Sequence, residues 1–416
     1  MSSKCYRRRA AVFLCLALFS FANQQTREDA LAVGTAVAAV PLCAMPPVSA
    51  VGGLNAFGLG LFKLLSKKDA ENVLISPMSL SVCLSMVAAG STPDSTTEKE
   101  FLSVLGGHMA SLPKTSAQMA NSAWVRSAIK PEYIEAIKKD FEAEALPLTD
   151  PDPAPINKWV SERTSGLIPE LFSGPLDPLT VLVLVNTIFF KGSWATVFDS
   201  ANTKSGEFRG FASKMPCDMM WKKEKKLGYT DMPGYQAVQL PYSDKSTFAT
   251  VILPKEEGPA GLEKLVEDFD WKQLLGFMEP SEVELRLPRF KVSAGGSMSD
   301  ALKALGIKEA FESKNGFLRM SDDPLVYLND VVHKATVLVN EEGTVAAAAT
   351  GAVMATRCLP PPAMKATQMA PCFSLERWWS RSLRALTRAS KEATRPRLPR
   401  WHAATQSAPT NACSLV

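Results

Sequence analysis

Apolar residues fall at helical spacing in "LNAFGLGLFKLLSKKDAEN" (54–72), where Leu54, Phe57, Leu61, Leu64 and Leu65 share a face, and the pattern predicts an amphipathic helix with a polar exit. The next stretch, "VLISPMSLSVCLSMVAAG", has a different rhythm: a short strand, a Ser76–Pro77 helix start, then a helix apolar all round. "PEYIEAIKKDF" and "APINKWVSERTSGLIPELF" predict two further amphipathic helices. "TVLVLVNTIFF" (180–190) is too continuously β-branched and aromatic to expose either face, so it predicts a central strand of a covered sheet. "YQAVQLPYSDKSTFATVILP" predicts two strands around a polar turn, and "VELRLPRFKV" another strand. "SMSDALKALGIKEAF" predicts a helix capped by Ser297 or Ser299, and "VVHKATVLVNEEG" a strand. Strands and helices mix without strict alternation and without an internal repeat, which gives an α+β class around large sheets.

One segment fits neither template. "NEEGTVAAAATGAVMATRCLPPP" (340–362) opens with two carboxylates and a glycine, then runs uncharged to a lone Arg357 and three prolines. Four consecutive alanines suit a helix, but Gly343, Gly351, Thr344, Val345, Thr350 and Val353 weaken that assignment. The pattern leaves open a strand, or a loop able to become one.

The ends of the chain differ from its body. Residues 1–22 hold Lys4, Arg7, Arg8 and Arg9 before the apolar run Ala10–Phe21, with Ser20 and Ala22 as small residues, and read as a secretory signal. Residues 23–50, broken by Pro41, Pro46 and Pro47, read as a flexible pro-segment. No Asn-X-Ser/Thr acceptor occurs, so N-glycosylation is not expected. The formal net charge of +4 hides an acidic body, because the first 22 residues carry +4 and residues 373–416 carry +6, leaving −6 between them. An acidic body argues against a nucleic-acid partner.

Chemistry-bearing residues are sparse. The 8 cysteines are scattered, with no CxxC pair for a metal or redox motif, so no metal or cofactor is expected. Cys83 reads as a buried small hydrophobe. The 3 histidines are His108 in a Gly-flanked loop, His402 in the tail and His333 inside an apolar strand pattern, where a hydrogen-bonded structural role fits best. A His-assisted nucleophile needs a base held by a third group, and no GxSxG, HExxH, Walker loop or strand-linked GxGxxG is present. The sequence is not expected to be an enzyme.

Taken together, "NVLISPMSLSVCLSMVAAG", "INKWVSERTSGLIPEL", "TVLVLVNTIFFKGSWATVF", "LRLPRFKV", "DVVHKATVLVNEEGT" and "AAAAT" resemble the serpin family in order and spacing, over about residues 51 to 363. The resemblance implies a domain over 51–365 with three β-sheets, about eight to nine helices and an exposed reactive-centre loop. In that family a serine protease attacks the loop as a substrate. The acylated loop then inserts as a strand into the largest sheet and distorts the protease. Serpin loop insertion is a worked example of strand addition in general treatments of the subject.

The residues suit insertion. A strand alternates its side chains between faces, so Thr344, Ala346, Ala348, Thr350, Ala352 and Met354 would point to the core and Val345, Ala347, Ala349, Gly351, Val353 and Ala355 away from it. Neither set holds a charge, whose desolvation would cost several kcal/mol, or a proline, which would remove a ladder donor. Gly343 would give the hinge backbone freedom. Counting seventeen residues from Glu341, as the resemblance implies, reaches Arg357, the only basic residue between Gly343 and Met364. The implied scissile bond is Arg357–Cys358, the hinge runs from Glu341 and Glu342 through Thr350, and the partners are trypsin-like serine proteases. The resemblance further implies a polar "shutter" of Ser76, Ser79, Asn186 and His333. Trp194 would mark the "breach" at the top of the sheet, and Arg289 would pair with Glu341.

Two departures matter. Only about a dozen residues, "HMASLPKTSAQM", stand where the family places a heparin-binding helix, so heparin is not an expected partner; a monomer is. After Pro362 the family continues into two buried strands, whereas residues 366–416 are rich in Arg, Trp and Pro without strand periodicity. Back-translating Ala366–Phe373 from the third codon base allows "x-A-D-G-P-L-F", near the family's motif, so a frame shift or altered splice near 364–366 is expected. Losing about six buried Leu or Phe, each contributing about 1.5–3 kcal/mol, would cancel a net stability of roughly 5–15 kcal/mol. The alternatives are a serpin cleaved without trapping and an inactive product.

Overall fold

The computed structural model describes residues 15–16, 50–66, 72–107, 117–126, 129–209, 214–245, 247–312 and 315–357. Helices α1 (Ala50–Leu65), α2 (Pro77–Ala89) and α3 (Thr96–Leu105) open the body. Ser76 caps α2, its side chain accepting from the Ser79 amide at 3.3 Å, and Pro77 occupies the first turn, where its missing N–H costs nothing. The uniformly apolar α2 is buried on all sides, as such a helix must be.

The first sheet has strand order β10–β11–β12–β4–β2–β3. Its members are β2 (Gln118–Val125), β3 (Ala143–Pro147), β4 (Thr180–Ser193), β10 (Phe290–Ser297), β11 (Val326–Val339) and β12 (Gly343–Thr356). The predicted central strand 180–190 is the buried part of β4. Helix α2 covers one face of this sheet. On the other lies a cluster built from α5 (Ala154–Arg163) and the segment after it, including Ile156, Trp159, Leu171 and Phe172. Helix α4 (Pro131–Phe141) leads into β3.

The second sheet runs β1–β8–β7–β6–β5, with β9 also on β6. It comprises β1 (Cys15–Leu16), β5 (Lys204–Arg209), β6 (Lys214–Asp231), β7 (Tyr235–Pro241), β8 (Phe248–Pro254) and β9 (Glu279–Pro288). Four short helices complete the described residues: α6 (Pro259–Asp268), α7 (Trp271–Gly276), α8 (Ser299–Leu305) and α9 (Glu309–Glu312).

Several expectations shift. Three sheets emerge as two hydrogen-bonded sheets among the described residues, because the 18-residue β6 pairs with β5 at its start, β9 along its length and β7 at its end. "VELRLPRFKV" is two strands in different sheets, divided at Arg289. The helix predicted over "APINKWVSERTSGLIPELF" stops at Arg163, where Ser165 and Gly166 both take positive φ. Helix α8 ends at Gly306, φ 121°, and its cap residue Met298 makes no side-chain capping bond; Ser297 instead accepts from the Ser299 amide at 3.3 Å.

The largest change is the reactive-centre segment. It is not an exposed loop in this conformation: Gly343–Thr356 forms β12, between β11 and β4. Both faces are covered, not one, with Ala352 and Met354 in the α2-side core and Ala347, Ala349 and Val353 in the α5-side cluster. Small uncharged side chains permit this, since neither face demands solvation. The proposed signal is described only at Cys15–Leu16. His108 with the segment "HMASLPKTSAQM" (mostly), Cys358, His402 and the divergent tail lie outside the described residues.

Candidate functional site: an inserted strand and its clasps

Register aligns a polar row across four strands. His333 of β11 faces Thr350 of β12, Thr350 faces Asn186 of β4, and Asn186 faces Asn121 of β2. All four are buried, as is Ser79 of α2 above them. The Ser76 amide donates to His333 Nε2 at 3.0 Å, so that nitrogen is an acceptor and Nδ1 carries the proton, which reaches Thr350 Oγ1 at 2.8 Å. Thr350 and Ser79 hydroxyls meet at 2.9 Å, and Ser79 Oγ donates to Asn186 Oδ1 at 2.5 Å. The amide of Asn186 donates to Asn121 Oδ1 at 2.9 Å, and Asn121 to the Phe141 carbonyl at 2.7 Å.

Each polar side chain in this row has at least one partner, as a buried polar network requires. Burial pushes the His333 imidazole down to about 3, so it is neutral at physiological pH. Ser76, Ser79, Asn186 and His333 are thus brought together. The sequence reading missed two members, Asn121 and Thr350 in this role. Asn121 stands as an amide inside the apolar strand pattern "MANSAWV", and Thr350 is the one hydroxyl between Thr344 and Thr356.

The start of β12 is held by Trp194. Its backbone amide donates to the Glu342 carbonyl at 2.8 Å and its indole Nε1 to the Asn340 carbonyl at 3.0 Å. The indole stacks on Tyr242, 4.8 Å between centroids and 12° between planes, while Tyr242 donates to Thr344 Oγ1 at 2.9 Å. Burial raises the Tyr242 phenol, keeping it a donor. The Asn340 side chain accepts from the amides of Glu342 and Gly343, both at 3.1 Å, which shapes the turn into β12.

Gly343 is required by close approach, since a Cβ there would lie 2.0 Å from the Gly192 carbonyl; φ freedom is not used. Gly351 is equally constrained: a Cβ would sit 2.5 Å from the Phe172 ring. Glu341 pairs with Arg289 at 3.6 Å, as expected, but the guanidinium also holds Asp218 at 3.0 Å and Glu341 also accepts from Thr203 at 2.8 Å. Arg289 is half exposed, so the pair is a minor clasp.

At the opposite end, Thr356 donates to Asp323 Oδ2 at 2.5 Å and its amide to the Leu179 carbonyl at 3.1 Å. Arg357 is exposed, its guanidinium 4.9 Å from the Tyr327 ring centroid. With 14 residues in β12 at about 3.3 Å per residue, Arg357 lies about 46 Å along the strand from Gly343. Cys83 lies under this sheet with its thiol on the Leu184 carbonyl at 3.6 Å; burial pushes it up to about 12, so it is an inert hydrophobe.

The serpin (serine protease inhibitor) family model matches residues 53–371. Iripin-5 of Ixodes ricinus is 33% identical over 340 residues, 75% of this chain and 86% of that protein. The leukocyte elastase inhibitor of Bos taurus is 34% identical over 328 residues, covering 71% and 87%. Among solved structures, cleaved Serpin 42Da superposes with a TM-score of 0.66 at 29% identity, over 73% of this chain and 89% of that one.

Proposed function

The chain belongs to the serpin family, and we propose that it is a secreted, monomeric suicide-substrate inhibitor of trypsin-like serine proteases that is cleaved at Arg357–Cys358. The observation that carries this reading is β12 itself. Gly343–Thr356 fits as a central strand with no charge on either face, and Arg357 follows directly at its end.

The chemistry follows from that placement. The protease serine oxygen bonds to the Arg357 carbonyl carbon, the C–N bond to Cys358 breaks, and the protonated amine leaves with Cys358. An acyl ester then joins Arg357 to the protease. Insertion of Gly343–Thr356 carries that ester about 46 Å down the sheet, faster than water reaches it. An arginine before the cut suits a protease pocket with a carboxylate at its base.

A second reading has its own observation. β12 is already inserted in the uncut chain, with Arg357 lying over Tyr327 rather than presented on a loop. A molecule locked in this state traps nothing. The divergent tail belongs to the same reading, as the product of a frame shift or altered splice near 364–366, and an intact frame in independent transcripts would sink that explanation.

Incubation with trypsin separates the readings. Trapping yields an SDS-stable adduct that Arg357→Ala abolishes. Cleavage without adduct, or an uncut chain, supports the non-trapping alternatives. An adduct that persists in Arg357→Ala overturns the bond assignment.

A further inference from the structure

A cleft of about 440 Å³, the size of a small-ligand site, lies on the α5 side of the first sheet. Residues 171–177 roof it, the end of β10 and the middle of β11 form its floor, and Val353 of β12 closes one wall. The sequence builds this space locally. Phe172 is pressed onto Gly351, where a Cβ would stand 2.5 Å from the ring, so the roof is pinned over β12. On β10, Gly296 has φ 154° and no atom within 4 Å of a Cβ position, which leaves the opening clear.

The walls are apolar and the charges stand at opposite ends. Leu171, Leu176, Val332 and Val353 line the middle. Asp330, Val332 and Lys334 alternate along β11 and so share one face, carboxylate and ammonium being about 13 Å apart at about 3.3 Å per residue. The roof adds Asp177 at the Asp330 end, because it runs from Phe172 over Gly351 to Thr180 beside Ala355, and those partners face Val332 and Tyr327 in β11. Both carboxylates are oriented through Oδ1. That of Asp330 accepts from the Ser297 and Ser299 hydroxyls at 2.5 and 2.6 Å and the Val331 amide at 2.8 Å, and that of Asp177 from the Leu179 amide at 2.8 Å.

An apolar slot with a cation at one end and carboxylates at the other matches a zwitterion of extended shape. Three residues of extended chain span about 10 Å, and the flexible lysine stem covers the rest. We propose that the cleft binds a short apolar peptide of two or three residues with free termini. Its ammonium meets Asp330 and Asp177, its carboxylate meets Lys334, and its side chains pack on Val332 and Val353. The ligand lies on the face of the sheet, since the ladder between β11 and β4 is occupied by β12. Val353 arrives with β12, so the site is complete only in the inserted state, and peptide binding and insertion favour each other. Neither step depends on cleavage at Arg357.

Calorimetric titration of the full chain with Ala-Leu-Ala tests this. Saturable binding is expected, about 10-fold or more tighter than for the same peptide acetylated and amidated at its ends, because hydrogen bonds to charged groups are the stronger ones. Lys334→Met keeps the aliphatic stem and should abolish the preference for a free carboxylate over an amide, leaving the preference for a free amine. Asp177→Asn should weaken the preference for a free amine and leave the other. Lys334 and Asp177 are half-buried, and an unchanged unfolding midpoint confirms that each variant is folded. No saturation at about 10 mM peptide overturns the proposal. Equal affinity for free and capped peptide, a preference for one free terminus alone, or preferences that survive both substitutions overturn it equally.

Discussion

β12 and β8 are both core strands, and they differ in how their neighbours pair with them. β12 is clasped by β11 from Thr344 to Thr356 and by β4 from Gly343 to Ala355, in register apart from irregularities near Leu328–Asp330 and Met354–Ala355. β8 is clasped fully by β7 and for two residues by β1. The side chains explain the contrast. β12 is built of alanine, glycine, threonine and valine with one methionine, Met354, and these fit under Phe172 and α2. β8, with Val251 and Ile252 buried, is an ordinary core strand of larger side chains. A strand that must enter a sheet is kept small and neutral; one that never moves can be large.

The sharpest way to break the contrast is to put a charge into β12. Thr350 sits wholly buried between His333, Ser79 and Asn186, none of which is charged at neutral pH. Thr350→Arg would leave an uncompensated buried cation, costing several kcal/mol, and about 1.4 kcal/mol is tenfold. The expected result is at least a thousandfold loss of protease trapping, with cleavage at Arg357 intact. Val197→Arg, at a position 56% exposed, should leave trapping unchanged. If both variants trap alike, β12 does not enter the sheet during inhibition.

Next in size is the row that crosses the sheet. Asn186→Ala strands Asn121 on one side and Ser79 on the other. Each unsatisfied buried group costs about 1–3 kcal/mol, so the variant should unfold at a clearly lower denaturant midpoint with an unchanged slope. A midpoint within error of the parent would show that the row contributes nothing to this state.

Much of this arrangement was legible in the chain, and the limits were physical. Periodicity located β4, α2, α4 and the β7–β8 pair, because each buries a face whose pattern is written locally. Ser79, Asn186 and His333 came from family resemblance, and register then placed them in one row. Asn121 and Thr350 were missed in this role because strand order decides which residues stand opposite, and no local pattern encodes β12 lying between β11 and β4. The division of 279–297 at Arg289 into strands of different sheets was hidden for the same reason. Gly343 and Gly351 were visible as glycines, but their cause, close approach to Gly192 and Phe172, exists only after insertion.

Acidity should weaken the same row in a defined window. His333 takes up its proton near pH 6.5 when unfolded and only at about 3 when buried. Between those values the unfolded chain binds a proton that the folded chain does not, so stability rises with pH and is lost as pH falls below 6.5. The slope from this one group approaches about 1.4 kcal/mol per pH unit. His333→Gln, neutral throughout, should flatten the difference between pH 6.5 and 4 relative to the parent. Parallel curves for the two proteins would mean that His333 is not the titrating group.

The smallest effect belongs to the ion pair at the mouth of the sheet. Glu341 and Arg289 stand 3.6 Å apart, and Arg289, with its side chain 47% exposed, is shared with Asp218. Exposed pairs contribute about 0–1 kcal/mol and are screened by salt. Glu341 keeps Thr203 and Trp194 keeps Asn340 whether or not the arginine is present. Arg289→Ala should therefore lower the unfolding midpoint slightly in low salt and not at all near 1 M, where the screening length falls to about 3 Å. A loss that survives high salt would instead assign Arg289 a packing role, its aliphatic stem covering the junction between β9 and β10.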